Sequence, residues 1–443
     1  MQLNPPRMMA WPSTPDKAVP AWSGSHKLRW RLHRAKRLLQ ETRATRGWKA
    51  VFALSARMLL RKVPLLLRNL RAAGRTAKVR AAIARVREES VPSQPYLAFA
   101  VTGGLGDCLV IARFLRDAAA RVGDMRFDVF APDPKVANWA FGNVRGFHAA
   151  YHDISFEHAL GDYDASLRLN QFAVVYGDQV RWRSVRECPE LAQLLRDLIQ
   201  FRPKIDLFVE RHPWLDNFLA RTAVFCGATR RDFLHLMAGL PYGGDLLPVP
   251  QDSFAVARLG LRPGQYITVH NGFDTGFVIS GRRATKCYPH FGAVVARLKV
   301  AMPHMRFVQL GTVTSEPIKE CDLVLLNKTS MDQASSLIAQ AALHLDNESG
   351  LVHLAACVGT RSAVVFGPTP SDYFGYPGNI KIDPPTCGNC WWMTRTWMDS
   401  CAKGFEAPRC MTQQEPSAVA DRILREFLVL PTQFRTVLPD PVG

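Results

Sequence analysis

The chain has 443 residues, of which 47% are hydrophobic and 21% charged, and a formal net charge of +18. That is the composition of a soluble globular protein with room for two to three domains, since single cores stop growing at roughly 250 to 300 residues. No uninterrupted apolar run approaches the ~20 residues of a membrane-spanning helix, the Pro-containing start does not read as a secretory signal, and ten cysteines in a chain of this length do not make a disulfide scaffold. The cytoplasm is the expected compartment.

The charge is confined to one stretch. His26 to Arg87 holds 19 Lys/Arg and one acid, Glu41, which is +18 by itself, and the remaining 37 basic and 37 acidic residues cancel. Residues 1–25 are expected to be a disordered tail. Residues 26–91 read as a basic amphipathic helical segment, with Leu28, Leu32, Leu38, Leu39, Val51, Phe52, Met58 and Leu59 apolar, and with breaks at Pro64 and Gly74. An anionic membrane surface suits the basic face of 26–87 and its Trp30, Trp48 and Phe52. A helical hairpin packed on the main body, or another acidic partner, would also account for it. Nucleic acid is not expected, because no reader motif accompanies the charge.

Residues 92–250 alternate strand and helix. Tyr96–Val101 is a strand, Thr102-Gly103-Gly104-Leu105-Gly106-Asp107 a turn, and Cys108–Arg121 a helix; strands follow at 126–131, 165–169 and 173–176, then a helix at 190–201. Ile205–Val209 and Thr222–Phe225 read as further strands. The Gly- and Pro-rich run 239–262 is the expected interdomain linker.

Residues 251–412 repeat the pattern, with strands at 266–270, 307–310, 323–326 and 343–345 and helices at 291–301 and 331–341. Leu343 to Pro368 is a complete βαβ unit. A short apolar strand runs into Asp346-Asn347-Glu348-Ser349-Gly350, a helix carries Leu351, Leu354, Ala355 and Val358, Gly359 closes it, and Ser362–Phe366 is a buried parallel strand. A Cys/Trp-rich loop over 384–411 precedes a final helix and tail in 413–443. Two successive doubly wound halves make a cleft between them, with ligands outside the carboxyl ends of the strands.

Four stretches carry chemistry. The turn at 102–107 lacks the third glycine of a dinucleotide fingerprint, and Asp128, about 20 residues on, lies inside a strand pattern rather than at its end. Its glycines allow close approach of another group, and Asp107 opens a helix whose dipole favours the ionised carboxylate. Lys286, ahead of a helix, is placed to meet phosphate at the cleft or is a surface charge. The cluster 346–350 at a helix start is either a phosphate or sugar site or an ordinary turn capped by Ser349. Cys387-x2-Cys390-x10-Cys401-x8-Cys410 fits a tetrahedral four-sulfur site for structural zinc or iron, with reduced thiols or disulfides as alternatives. Cys108, Cys188, Cys226, Cys287, Cys321 and Cys357 read as scattered core residues.

Taken together, Gly104-Leu105-Gly106-Asp107, Lys286-x-Tyr288-Pro289, Asp346 to Gly350 with His353, and Phe366-Gly367-Pro368-Thr369 resemble glycosyltransferase family 9, the ADP-heptose heptosyltransferases of lipopolysaccharide core and of autotransporter modification. The resemblance covers roughly Tyr96 to Leu428 and leaves the basic leader outside. It implies a GT-B fold, two Rossmann-like domains facing a cleft, with the acceptor on the first and the nucleotide sugar on the second. It also implies an inverting displacement that needs no cofactor. By position, Asp107 becomes the general base and Lys286 the cation on the departing diphosphate. Gly104, Gly106, Glu348, Ser349, Gly350 and His353 become donor-binding, and Thr329 lies near the nucleobase. Glu348 stands where the family usually has Asp, and Tyr288 where it usually has Trp, which opens the identity of the sugar. The cysteine loop is similar to the iron finger of the autotransporter-modifying members. The expected acceptor is a glycolipid or protein of the cell envelope, met at the inner face of the cytoplasmic membrane. The alternatives are a catalytically silent glycan- or nucleotide-sugar-binding scaffold and a nucleotide-dependent oxidoreductase or epimerase.

Overall fold

The computed structural model describes residues 43, 48, 76–88, 94–211, 217–273, 283–394 and 396–429. The chain divides into a unit of Met1–Ala72 and a unit of Ala73–Gly443. In the first, Arg43 and Trp48 are helical, with the guanidinium 4.5 Å from the ring centre. The expected tail at 1–25 and the membrane-facing helices up to residue 75 otherwise lie outside the described residues.

The second unit contains two sheets. The first has the order β3-β2-β1-β4-β5, from β1 (Tyr96–Val101), β2 (Arg126–Ala131), β3 (Phe147–His152), β4 (Ala165–Leu169) and β5 (Ala173–Val175). All its pairings are parallel except β4 with β5. The second, wholly parallel, has the order β11-β10-β9-β6-β7-β8, from β6 (Tyr266–Val269), β7 (Arg306–Gln309), β8 (Leu323–Val324), β9 (Leu343–Asn347), β10 (Ser362–Val365) and β11 (Ile380–Ile382). Crossover connections cover both faces of such sheets, which is why β1, YLAFAV, is buried at every position. In each sheet the strand order reverses beside its first strand, between β1 and β4 and between β6 and β9. Those reversals are where a doubly wound sheet opens a crevice.

The helix Leu105–Val122 leaves the carboxyl end of β1, and Gly350–Cys357 leaves that of β9. The two pack against each other, so the sheets share a core that includes Leu109, Ala112, Val352 and Leu354. Residues 76–88 form a helix that buries Ile83 and Val86 against Tyr96, Phe130 and Tyr163. Arg80 pairs with Asp162 at 2.8 Å and Arg87 with Asp164 at 3.3 Å. The end of the basic segment is therefore packed on the body of this unit. Among the described residues no helix is long and apolar enough to cross a membrane.

Two expected strands are helical. Ile205–Val209 spans a 3-10 turn, Arg202–Ile205, and the helix Asp206–Arg211, and Thr222–Phe225 lies in the helix Phe218–Phe225. A four- or five-residue apolar run does not distinguish a strand from one buried turn of helix. The helix Pro134–Phe141 was not anticipated, although Asp133 caps it by accepting from the Lys135 and Val136 amides and Pro134 holds its first position. The 239–262 run contains a short helix, Ala255–Arg258, and buries Leu247 and Val249. Cys188, Cys226 and Cys321 are half-buried rather than core residues.

Candidate functional site

The turn after β1 puts Asp107 in the first turn of its helix with a side chain 22% exposed. Gly103 has φ +144°, and a Cβ there would overlap Asp107 Oδ2, so only glycine suits the turn. Asp107 Oδ1 accepts from Arg230 Nη2 at 2.6 Å and from Gln171 Nε2 at 3.4 Å. Gln171 follows β4, so the reversal between β1 and β4 supplies both Asp107 and one of its partners. Neither Arg230 nor Gln171 belongs to a recognisable motif.

The glycines bring the two helix starts together. A Cβ on Gly106 would lie 2.6 Å from His353 Cδ2 and 3.2 Å from Gly350 Cα, and one on Gly350 would lie 3.1 Å from the Gly106 nitrogen. The start of the Asp107 helix and the 350–353 segment thus meet at a contact that no larger residue would permit. Ser349 caps its helix as expected, accepting from the Leu351 amide at 3.1 Å, and Gly359 closes it at φ +76°. Gly104 is the N-cap residue of the Asp107 helix. Thr329 lies further off, beyond β8 at the sheet edge and one residue before the Ser330 capping box.

Lys286 Nζ is 3.2 Å from Glu348 Oε2, and both side chains are largely buried. Burial would raise the Glu348 carboxyl, but Lys286 and then His353 outweigh it and hold it at about 2. Burial likewise works against the Lys286 ammonium, and Glu348 keeps its pKa above the ordinary lysine value. His353 Nε2 lies 3.8 Å from Glu348 Oε1, and its Nδ1 is 2.6 Å from Tyr376 Oη. Arg113 donates to the same hydroxyl at 2.7 Å and to the His353 carbonyl at 3.0 Å. Tyr376 Oη thus bridges the Arg113 guanidinium and the His353 ring. Burial lowers the His353 pKa, Glu348 opposes, and Arg113 and Arg230 reinforce the lowering.

Behind this pair lies a second network. Fully buried Asp346 takes His270 Nδ1 at 2.8 Å and His344 Nε2 at 3.2 Å, and Ser349 donates to it as well. Burial would raise Asp346, but the two imidazoles lower it below the carboxylate norm. His270 directly follows β6 and its amide donates to the Leu345 carbonyl of β9 at 2.9 Å, at the reversal of the second sheet. Sequence reasoning singled out the 346–350 cluster without its histidine partners. Arg113 had one visible signal, a lone basic residue in the apolar run Cys108–Leu115.

Two expectations change, those for Tyr288 and the cysteine loop, and the reading of Asp128 as a strand residue holds. Tyr288 is fully buried, and its hydroxyl donates to the Gln414 carbonyl at 2.8 Å, so its difference from Trp concerns packing rather than a ligand. Asp128, at the distance of a ribose-binding acid, is buried in β2 and takes the hydroxyls of Tyr96 and Tyr163, the latter at 2.7 Å. Cys387, Cys390, Cys401 and Cys410 are neighbours, yet among the described residues no three Cys, His, Asp or Glu side chains converge as a metal-binding group. Burial and then the adjoining thiols push Cys390 up to about 11 and Cys410 up to about 12. The loop also anchors Lys286, because Thr285 donates to Trp397 O through its hydroxyl at 2.6 Å and to Met398 O through its amide at 2.9 Å.

Residues 274–382 match the family model described as glycosyltransferase family 9 (heptosyltransferase). The chain is similar to lipooligosaccharide heptosyltransferase 2 of Haemophilus influenzae, 23% identical over 221 residues, which are 43% of this chain and 64% of that protein. Among solved structures it is similar to the ADP-heptose lipopolysaccharide heptosyltransferase II of E. coli, at 15% identity and TM-score 0.43, over 75% of this chain and 98% of the other. It is also similar to the iron-containing dodecameric glycosyltransferase TibC of enterotoxigenic E. coli, at 13% identity and TM-score 0.49, over 75% and 76%.

Proposed function

We propose that the chain is a family 9, heptosyltransferase-like glycosyltransferase, as the match of residues 274–382 supports, and that it transfers a heptose, with inversion, from a nucleotide-diphosphate donor to a hydroxyl of a cell-envelope glycan or protein. The observation that carries this is the contact of Gly106, the residue before Asp107, with Gly350 and His353, the latter beside the Glu348–Lys286 pair. The two sheets act as the halves of a GT-B fold, residues 92–250 receiving the acceptor and 251–412 the donor.

In this account the acceptor oxygen attacks the anomeric carbon from the face opposite the leaving group. Its proton passes to Asp107, and the electron pair of the breaking C–O bond goes to the terminal phosphate oxygen of the nucleotide. Lys286 meets the charge that develops there. Glu348 and His353 contact the sugar hydroxyls, Ser349, Gly350, Gly104 and Gly106 let the donor approach the backbone, and Thr329 borders the nucleobase. Contact between the halves excludes the water that would hydrolyse the donor. No cofactor takes part.

The four-cysteine loop is where a structural zinc or iron would sit, by a tightening that brings the neighbouring thiols to ligand distance. Metal content below ~0.2 equivalents in protein purified without chelator would count against it. The basic segment 26–87 would hold the enzyme to the anionic inner face of the cytoplasmic membrane; equal binding to neutral and anionic vesicles would argue against that. The activity itself is tested with a panel of nucleotide sugars, ADP-heptose included, by nucleotide release with and without envelope glycan. A scaffold would bind a donor and release nothing.

A further inference from the structure

The carboxylate proposed as the base is held by one oxygen. Arg230 is 1% exposed; its Nη2 donates to Asp107 Oδ1 at 2.6 Å, while its Nη1 is buried with no partner. Taking a guanidinium out of water is costly, and here one charge-assisted bond is its main return, so the pair is poorly explained as a device for stability. Asp107 Oδ2, against the Gly103 turn, has no hydrogen-bond partner among the described residues. A carboxylate that must take a proton needs this arrangement, one oxygen fixed and the other open.

Both donors to Oδ1 are tied to one residue of the other sheet's segment. The Arg230 amide donates to the Tyr373 carbonyl at 2.8 Å, and Tyr373 Oη donates to Gln171 Oε1 at 3.0 Å. Tyr373 is fully buried in the short helix Ser371–Phe374, which follows β10. The orientation of Asp107 therefore depends on a residue from the half that would carry the donor.

We propose that Arg230 is the positioning residue of the base, and that Tyr373, through Arg230 and Gln171, makes the base correctly oriented only when the two halves are in contact. This rests on Asp107 being the base. It assigns Arg230 no contact with substrate, and it explains how a donor bound to an open cleft escapes attack by water.

The test uses the full chain, ADP-heptose as donor, envelope glycan as acceptor, and ADP release as the readout, with ADP affinity measured by calorimetry. Arg230→Ala is expected to lower kcat about 100-fold, with KM for ADP-heptose and Kd for ADP within about threefold of the unaltered protein. Millimolar methylguanidine should restore at least about tenfold in Arg230→Ala and nothing in Asp107→Ala. Tyr373→Phe should lose about three- to tenfold in kcat. Unchanged kcat in a folded Arg230→Ala, or a loss that falls on KM and is not rescued, would overturn the proposal. Should Arg230→Ala not fold, Arg230→Lys takes its place: it keeps the charge with a shorter, unforked arm, and wild-type turnover in it would equally overturn the proposal. Full turnover in Asp107→Ala removes the base itself, whereas a dead Asp107→Ala beside an unaffected Arg230→Ala removes only this inference. If the unaltered protein releases no ADP, the donor assignment fails and takes the proposal with it.

Discussion

Lys286 and Glu348 form an ion pair at 3.2 Å, so the cation assigned to the departing diphosphate already has a counter-ion. In the proposed account a donor entering the site shares Lys286 with Glu348, and the sugar hydroxyls then give Glu348 a new use. On that account donor binding is an exchange of partners, in which little unpaired charge is buried at any stage.

Glu348 should leave its mark on acid stability. Its pKa is held at about 2 against an ordinary 4.5, so its contribution is fully present above about 4.5 and is lost as the pH falls toward 2. Lys286, raised above 10.5, contributes fully below that value and loses its contribution only as the pH rises beyond it. Glu348→Gln is expected to cost about 3 kcal/mol at pH 7, with the deficit shrinking through the 4.5 to 2 window. Thermal unfolding of both proteins across that range measures it, and a deficit independent of pH would refute the assignment.

Stability and catalysis separate in a double variant. Lys286→Met alone strands a buried carboxylate and should lower both the melting temperature and turnover, the latter by roughly 100- to 1,000-fold. Adding Glu348→Leu removes the stranded charge and should recover most of the melting temperature while turnover stays low. Recovery of turnover in the double variant would mean that Lys286 serves the fold alone.

The glycine contact makes a steric prediction. Gly106→Ala adds a methyl 2.6 Å from His353 Cδ2, with the Gly350 backbone 3.2 Å away, so the halves must move apart. Turnover should fall at least about tenfold with little loss of stability, since the strands behind the turn are untouched. Wild-type turnover would show that the contact is not needed in the transition state.

The fold was legible wherever the pattern was local and strong. The βαβ unit from Leu343 was readable because an apolar strand, a Ser349 cap and a closing Gly359 follow one another within twenty residues. The short apolar turns at 205–209 and 222–225 were not, since burial gives helix and strand the same composition over so few residues. The site divides in the same way. Asp107, Lys286 and Glu348 stand in recognisable local settings. Arg230 meets Asp107 across 123 positions, and Arg113 meets Tyr376 across 263; nothing near either residue in the sequence announces its partner.

The cysteine loop should influence the donor without touching it. Thr285→Val removes the bond to Trp397 and loosens the tie between that loop and Lys286. The expected result is a roughly three- to tenfold rise in the KM for donor, reproduced by Cys410→Ser if the loop is what holds Thr285 in place. Steady-state kinetics of the two variants side by side decide this, and a Thr285→Val variant with unchanged KM would uncouple the loop from the site.

The central claim is that Asp107 takes the acceptor's proton while the 286–353 group holds the donor. Its most direct test is to incubate the unaltered protein and Asp107→Asn with ADP-heptose and envelope glycan, measuring sugar transfer and ADP affinity together. Transfer by the unaltered protein, its loss by at least about a thousandfold in the variant, and an unchanged ADP affinity are the predicted result. Transfer at the normal rate by Asp107→Asn would contradict it.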